Sequence, residues 1–220
     1  MTHVDVAIAG GGIVGSSTAY YLRKNGFTGS IAIFEQDTSF KHSCSALSWG
    51  GIRQQFSTPE NIRLSQFGLD LIRNLKQEFG ADADIGFKEQ GYLVLATERG
   101  VPVLEENRAL QVSMGADTVI FSGDELAKRF PWINFDGIAA GSFGPRNEGW
   151  FDPYSLMTLV RKAAVARDVK LVPQAVTGVA ANGKITGITL ANGEAYTVGA
   201  LVNAAGAGAG AESTIPLRSR

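Results

Sequence analysis

Between Val4 and Glu35 the chain runs through an apolar stretch, a glycine cluster, a helical pattern and a second apolar stretch that ends in an acid. The cluster Gly10-Gly11-Gly12-Ile13-Val14-Gly15 satisfies G-x-G-x-x-G, and Ile31-Ala32-Ile33-Phe34 leads directly into Glu35, twenty residues after Gly15. Each part has a physical task in holding a dinucleotide. Gly10 permits a tight turn out of the strand, Gly12 lets the backbone approach a pyrophosphate, and Gly15 lets the following helix pack closely on the sheet. The free N–H groups and positive dipole end of that helix, which opens at Ile13, face the phosphates. Glu35, with Gln36 beside it, is placed to accept hydrogen bonds from ribose hydroxyls. The glycine pattern alone is a weak signal and fits a structural turn equally well. With a strand before it, a helix after it and an acid at this distance, it predicts dinucleotide binding.

Which dinucleotide is decided further on. From Val176 the chain carries two hairpin turns, Asn182-Gly183 and Asn192-Gly193, each flanked by short β-type runs. Both residues of such turns tolerate positive φ, so the segment predicts a three-stranded meander. It leads into a buried strand, Ala200 to Asn203, followed by the small residues Ala204, Ala205 and Gly206. A nicotinamide-type doubly wound domain usually places a helix at this crossover. A meander followed by Asn-Ala-Ala-Gly is instead similar to the FAD domain of the glutathione-reductase type. A plain surface meander with a flexible linker, and a nicotinamide-binding domain, are the alternatives.

The composition excludes several other classes. The 220 residues are 45% hydrophobic and 19% charged, which suits one large or two small globular domains. A net charge of −1 gives no electrostatic basis for binding nucleic acid. One cysteine makes no internal disulfide and fits a reducing compartment, and the apolar runs are strand-sized rather than membrane-spanning. No signal peptide precedes the first strand, so a cytoplasmic location is expected.

Three segments divide the chain: 1–84 as the first part of the nucleotide-binding domain, 85–150 as an insertion, and 151–220 as its second part. Residues 36–58 read as a long polar connection, a length that usually signals function. Thr58-Pro59 starts a helix with an apolar stripe at Ile62, Leu64, Phe67, Leu71, Leu75 and Phe79. In the insertion, Ile85 to Lys88 and Tyr92 to Ala96 are expected to pair as an antiparallel hairpin. A helix from about Glu98, a strand at Val119, a short helix at Asp124, a strand at Ile138 and a helix opening at Pro153 follow.

Together these residues resemble the FAD-dependent amine and amino-acid oxidoreductases of the D-amino-acid oxidase, glycine oxidase and sarcosine oxidase group. The resemblance rests on Ala9 to Gly15, on Phe34-Glu35, on Ser43 to Phe56 with its Gly-Gly-Ile-Arg core, on Gly91-Tyr92-Leu93, and on Val202 to Ala207. It implies an α/β fold with a Rossmann-type FAD domain, a meander crossover and part of an antiparallel α+β substrate domain. It implies non-covalent FAD and a small amine or amino-acid substrate, oxidised at its C–N bond. By position, Gly10 to Gly15 would hold the pyrophosphate and Glu35 the adenosine ribose. Ser43, Cys44, Ser45 and Leu47 would line the phosphate and flavin side, with Gly50, Gly51 and Ile52 near the isoalloxazine. Val176 would meet the adenine through its backbone, and Ala204, Ala205 and Gly206 would close the site. Arg53 falls where the family keeps a cation near the flavin or the substrate carboxylate. A histidyl–flavin bond, found in some members, would fall near Ser48, and this chain has serine there.

Two departures stand out. Gly208 takes the place of a tryptophan usual in the family, and the family continues well past Arg220. The chain thus reads as the N-terminal part of such an enzyme, a form in which it would bind FAD without turning over, or would join a partner subunit. Cys44 has no second cysteine to pair with, and His3, His42 and Cys44 make no metal cluster. Trp49, Trp132 and Trp150 read as core or interface aromatics, since no basic patch accompanies them.

Overall fold

The structure, a computed structural model, describes residues 2–210. In chain order its elements are β1 (Thr2–Ala9), α1 (Ile13–Lys24), β2 (Ile31–Phe34), β3 (Gly51–Ile52), α2 (Pro59–Arg73) and α3 (Leu75–Phe79). Next come β4 (Tyr92–Ala96), α4 (Val101–Ser113), β5 (Val119–Ser122), α5 (Gly123–Arg129), β6 (Ala140–Gly144) and β7 (Gly149–Trp150). The chain then forms α6 (Pro153–Val165), β8 (Val169–Val172), β9 (Val176–Asn182), β10 (Lys184–Leu190) and β11 (Ala195–Asn203). They fall into two compact units, Met1–Ser48 with Pro153–Arg220, and Trp49–Asp152.

The first unit is built on a six-stranded sheet of order β8-β2-β1-β11-β10-β9. β1 is its hub, pairing in parallel with β2 on one side (Val6 opposite Ile31) and with β11 on the other (Val4 opposite Val198). Ala7, Ile8, Ala32 and Ile33 are all fully buried, so consecutive residues of β1 and β2 are covered on both faces, as a parallel sheet requires. That is why these strands read as unbroken apolar runs rather than alternating ones. The Phe34 ring packs edge-to-face on Tyr196 at 5.1 Å, joining β2 to the base of β11. Gly183 and Gly193, at φ +69° and +85°, turn the meander, while Asn182 and Asn192 do not share the positive φ expected of both turn residues.

Two details differ from the sequence reading. The third meander strand and the strand that returns to β1 are one nine-residue element, β11; its first half pairs with β10 and its whole length with β1. β8, a segment to which the sequence reading assigns no element, extends the parallel sheet beyond β2. A left-handed Asp168 at φ +61° separates it from α6.

The second unit holds an antiparallel sheet of order β4-β6-β5 and a two-stranded ribbon, β3 with β7. The expected hairpin between Ile85–Lys88 and Tyr92–Ala96 does not form. β4 pairs instead with β6, Leu93 lying opposite Phe143. The earlier segment turns towards β7: Lys88 and Trp150 exchange backbone hydrogen bonds of 2.8 and 3.1 Å, and Asp152 N–H donates to the Ile85 carbonyl. Gly91, at φ +81°, makes the break, because its Cα lies against the Phe143 ring and the Gly144 carbonyl. α2 buries Ile62, Leu69 and Ile72, while Leu64 and Phe67 are exposed, so the stripe is rotated from the expected one. Thr58 caps the helix by backbone conformation only. α5 opens on a reciprocal capping box between Ser122 and Glu125. The unit begins at Trp49, whereas the sequence reading kept residues 49–84 with the nucleotide-binding part. Pairing of β3 with β7 draws this segment into the second unit. Residues 211–220, beyond which the family is expected to continue, lie outside the described residues.

Candidate dinucleotide site

The C-terminal ends of β1, β2 and β11 lie side by side, the position at which open α/β sheets bind ligands. They are locked in step there: Gly10 N–H donates to the Phe34 carbonyl and Ala204 N–H to the Ala9 carbonyl, both at 2.8 Å. Gly10 takes φ +99°, and its Cα approaches the Ala204 carbonyl so closely that a Cβ has no room. Gly15 is buried under the loop, and a Cβ there would run into the Gly10 carbonyl. It therefore does not line the cavity; it sets how closely α1 packs. Ser16 fixes the loop from below, its hydroxyl donating to the Gly11 carbonyl at 2.8 Å.

Gly12 is the N-cap of α1, in extended conformation and without a side-chain cap. A Cβ built on it would meet only the Ser45 hydroxyl, at 3.2 Å. The backbone is thus open on the face a phosphate would use. Two loop donors are aimed at protein side chains: Ile13 N–H donates to the Ser45 hydroxyl at 3.1 Å and Gly11 N–H to Glu35 Oε2 at 2.8 Å. Glu35 Oε1 accepts from Asp37 N–H at 2.9 Å, so each carboxylate oxygen keeps a lone pair for a hydroxyl. No acid sits in the first turn of α1, and Arg23 and Lys24 occupy its last turn, which leaves the positive dipole end unopposed. The hydroxyl and backbone N–H of Ser39 hold the Asp37 carboxyl below the usual range.

Above this loop lies a cavity of about 260 Å³. Gly10, Gly12, Ile13, Val14, Glu35, Gln36, Ser43, Cys44, Ser45, Ala204, Ala205 and Gly206 all line it, as the sequence reading brought them together. Asp37, Phe40, His42, Ala207 and Gly208 line it too, beyond the expected set of binding residues. Phe40 is buried at φ +57° with the Arg161 guanidinium stacked 4.2 Å from its ring centre, its large ring in the otherwise polar run Gln36 to Ser43 being the available signal. A smaller hollow of about 50 Å³ adjoins, walled by Ala175 and Val176 and sharing Gly10, Glu35, Gln36, Ala205 and Gly208 with the first. Gly208 therefore borders both spaces. Leu47 is exposed and lines neither space.

Gly50, Gly51, Ile52 and Arg53 belong to the second unit. Gly51 lies against the Tyr92 ring, where a Cβ would sit at 3.2 Å. The Arg53 guanidinium rests on two rings, 4.8 Å from the centre of Phe56 and 5.3 Å from that of Tyr92. Ser65 donates its hydroxyl to the Arg53 carbonyl. Among the described residues, no acceptor takes a hydrogen bond from the guanidinium edge. No described group of three or more His, Cys, Asp or Glu is gathered for a metal, and no described helix is long and apolar enough to cross a membrane.

Comparison with known proteins places these features. A profile of the family described as FAD dependent oxidoreductase matches residues 5–219. The FAD-dependent oxidoreductase domain-containing protein 1 of Xenopus laevis is 42% identical over 172 residues, covering 75% of this chain and 34% of the relative. Human mitochondrial dimethylglycine dehydrogenase is 26% identical over 208 residues, covering 92% of this chain and 23% of the relative. The crystal structure of L-proline dehydrogenase from P. horikoshii superposes with a TM-score of 0.80 at 27% identity, over 95% of this chain and 54% of that one. The chain thus spans about a third of the first of these relatives and about half of the solved enzyme.

Proposed function

The chain belongs to the family of FAD dependent oxidoreductases, and from that premise we propose that it serves the oxidation of a C–N bond in an amino acid or N-methyl amino acid. The family uses FAD, which supplies a two-electron acceptor next to the bound substrate. The site fits it. The cradle left open at Gly12, where a side chain would fill the space, carries this reading. In the proposed arrangement the loop from Gly10 to Gly15 receives the pyrophosphate at the start of α1, and Glu35 accepts the ribose hydroxyls. Ser45 turns its hydroxyl to a phosphate oxygen. The backbone at Val176 borders the adenine, and Ala204 to Gly206 keep the mouth low enough for the cofactor to lie across the strand ends. Gly50, Gly51 and Ile52 are assigned to the isoalloxazine side.

Arg53 is assigned to a carboxylate. Its faces are covered by Phe56 and Tyr92 while its N–H edge is uncommitted among the described residues, the arrangement that favours bidentate binding. The named substrates of dimethylglycine dehydrogenase and L-proline dehydrogenase are amino acids, which supports the same class here.

The test is spectroscopic. The chain loaded with flavin should show visible bands and release FAD on heating. Titration with glycine, N-methylglycine and L-proline should shift those bands. A response to 2-hydroxy acids and none to any amino acid would overturn the C–N assignment, and retention of a nicotinamide dinucleotide in place of flavin would overturn the cofactor site.

A further inference from the structure

Glu148 has the sequence appearance of a surface acid just ahead of β7, yet it is only 1% exposed. Its two carboxylate oxygens are both engaged. Oε1 accepts the backbone N–H of Gln54 at 2.6 Å, and Oε2 accepts Gln55 Nε2 at 2.8 Å. Gln55 Nε2 also donates to the Tyr92 carbonyl at 2.9 Å. The Gly144 Cα faces the carboxylate so closely that a Cβ would strike it. No Lys, Arg or His forms a direct ion pair with Glu148 among the described residues. A buried carboxylate is costly to keep, so one held only by N–H donors calls for a task.

Those donors belong to the segment that follows β3. Gln54 N–H immediately follows Arg53 in the chain, and the Tyr92 ring is one of the two faces on which Arg53 lies. Gln55 therefore ties Glu148 to the residue that cradles the guanidinium. From the other side, Ser65 holds the Arg53 carbonyl. We infer that Glu148 is a positioning residue, fixing the Arg53–Gln55 segment and its aromatic cradle so that the guanidinium edge is presented to a carboxylate ligand. The inference rests on the assignment of Arg53 to a carboxylate.

Two effects of Glu148 oppose each other. Its negative charge weakens the pull of Arg53 on a ligand anion, while its clamp removes the disorder that binding would otherwise have to freeze. With no direct ion pair between them, the charge effect acts only at a distance, and positioning governs. Burial pushes the Glu148 carboxyl above the usual range, with the Gln55 and Gln54 donors and the Arg53 charge pulling it back. The acceptor geometry suits the ionised form. A carboxamide at this position would turn an NH₂ group against one of the two donors, as Glu148→Gln would do.

Formate is the probe, followed on the Arg53 Nε–H resonance of the 220-residue chain. Wild type should respond, and Arg53→Met should abolish the response. Glu148→Gln should weaken formate binding about tenfold and move the Arg53 resonance away from its ring-shifted position, since an unclamped guanidinium loses its orientation. Gln55→Met, which keeps the volume and the buried acid but removes the bridge to Tyr92, should weaken it in the same direction. Absence of any formate response in the wild type would overturn the assignment of Arg53, and this inference with it. A wild-type response that persists unchanged, or tightens, in Glu148→Gln or Gln55→Met would overturn the positioning role alone.

Discussion

Glu35 is hydrogen-bonded to Gly11: the carboxylate at the end of the second strand accepts, at 2.8 Å, an amide of the loop that ends the first. The acid therefore shapes the glycine loop as well as facing the cavity. Glu35→Ala removes a charged acceptor from both tasks. FAD binding should weaken by about 1–3 kcal/mol, roughly 5–150-fold in Kd, measured by flavin fluorescence quenching. Glu35→Gln should fall between, because it keeps one acceptor oxygen. An unchanged Kd in the alanine variant would mean that the ribose end lies elsewhere.

The glycines of the loop should separate by function. Gly12→Val places a side chain into open space above the helix N-terminus, so flavin retention should be lost with the far-ultraviolet circular dichroism intact. Gly15→Ala forces a methyl into the Gly10 carbonyl, so it should lower the unfolding midpoint of the chain without cofactor. Equal flavin occupancy in Gly12→Val and wild type would place the phosphates elsewhere.

Cys44 is exposed and lines the cavity. Alkylation by iodoacetamide should be severalfold slower in the FAD-loaded chain than in the free one, read by mass spectrometry. Labelling at equal rates would separate the 43–45 loop from the bound cofactor.

Arg23 on α1 spends its donors on backbone carbonyls: Phe27 at 2.8 Å, Gly29 at 2.6 Å, Arg167 at 2.9 Å and Asp168 at 3.4 Å. It thereby ties the turn before β2 to the turn before β8. Arg23→Met should cost about 2 kcal/mol in denaturant unfolding, leaving the half-buried Phe27 and Gly29 carbonyls without their charged donor while the apolar packing survives.

The raised carboxyl of Glu148 gives a pH dependence of definite sign. Its folded value exceeds the unfolded one, so its stabilising contribution is fully present below the unfolded value and is lost as pH rises through the folded one. From neutral pH down towards 4.5, wild type should gain stability relative to Glu148→Gln. Glu89 and Glu125 act oppositely, each lowered chiefly by a backbone N–H, from Asn147 and Ser122 respectively. Their contributions are lost only as pH falls below the ordinary carboxylate range. Paired urea titrations across pH measure the difference between wild type and variant; a gap that widens with rising pH would contradict the sign.

What the sequence discloses here is what short spacing encodes. The loop at Gly10 to Gly15, β2 and Glu35 are legible because a required φ or a close approach admits only glycine, and because the acid follows its strand directly. The two Asn-Gly turns are legible for the same reason. Partners far apart in the chain are not. β8 is four residues long and meets β2 from the other end of the sequence. The expected hairpin at Ile85 to Ala96 looks locally sound, yet Lys88 pairs with Trp150 and Leu93 with Phe143. Membership of residues 49–84 in the second unit likewise depends on β7. Glu148 is the clearest case: nothing about a glutamate between Asn147 and Gly149 indicates that its charge is buried.

The hub strand β1 takes one neighbour from β2, close by in sequence, and the other from β11, near the far end of the described chain. On the ribosome, at about 5–20 residues per second, tens of seconds can separate the emergence of those two neighbours. Throughout that interval one edge of β1 is unpaired, while residues 49–152 can already close both of their sheets. Synthesis order and closure order therefore differ: the interrupting unit can finish first, and the strand that leads into the dinucleotide loop is sealed late. Pairing so remote in sequence makes the slow step of folding, and its exposure to aggregation or chaperones, a property of the β1–β11 seam.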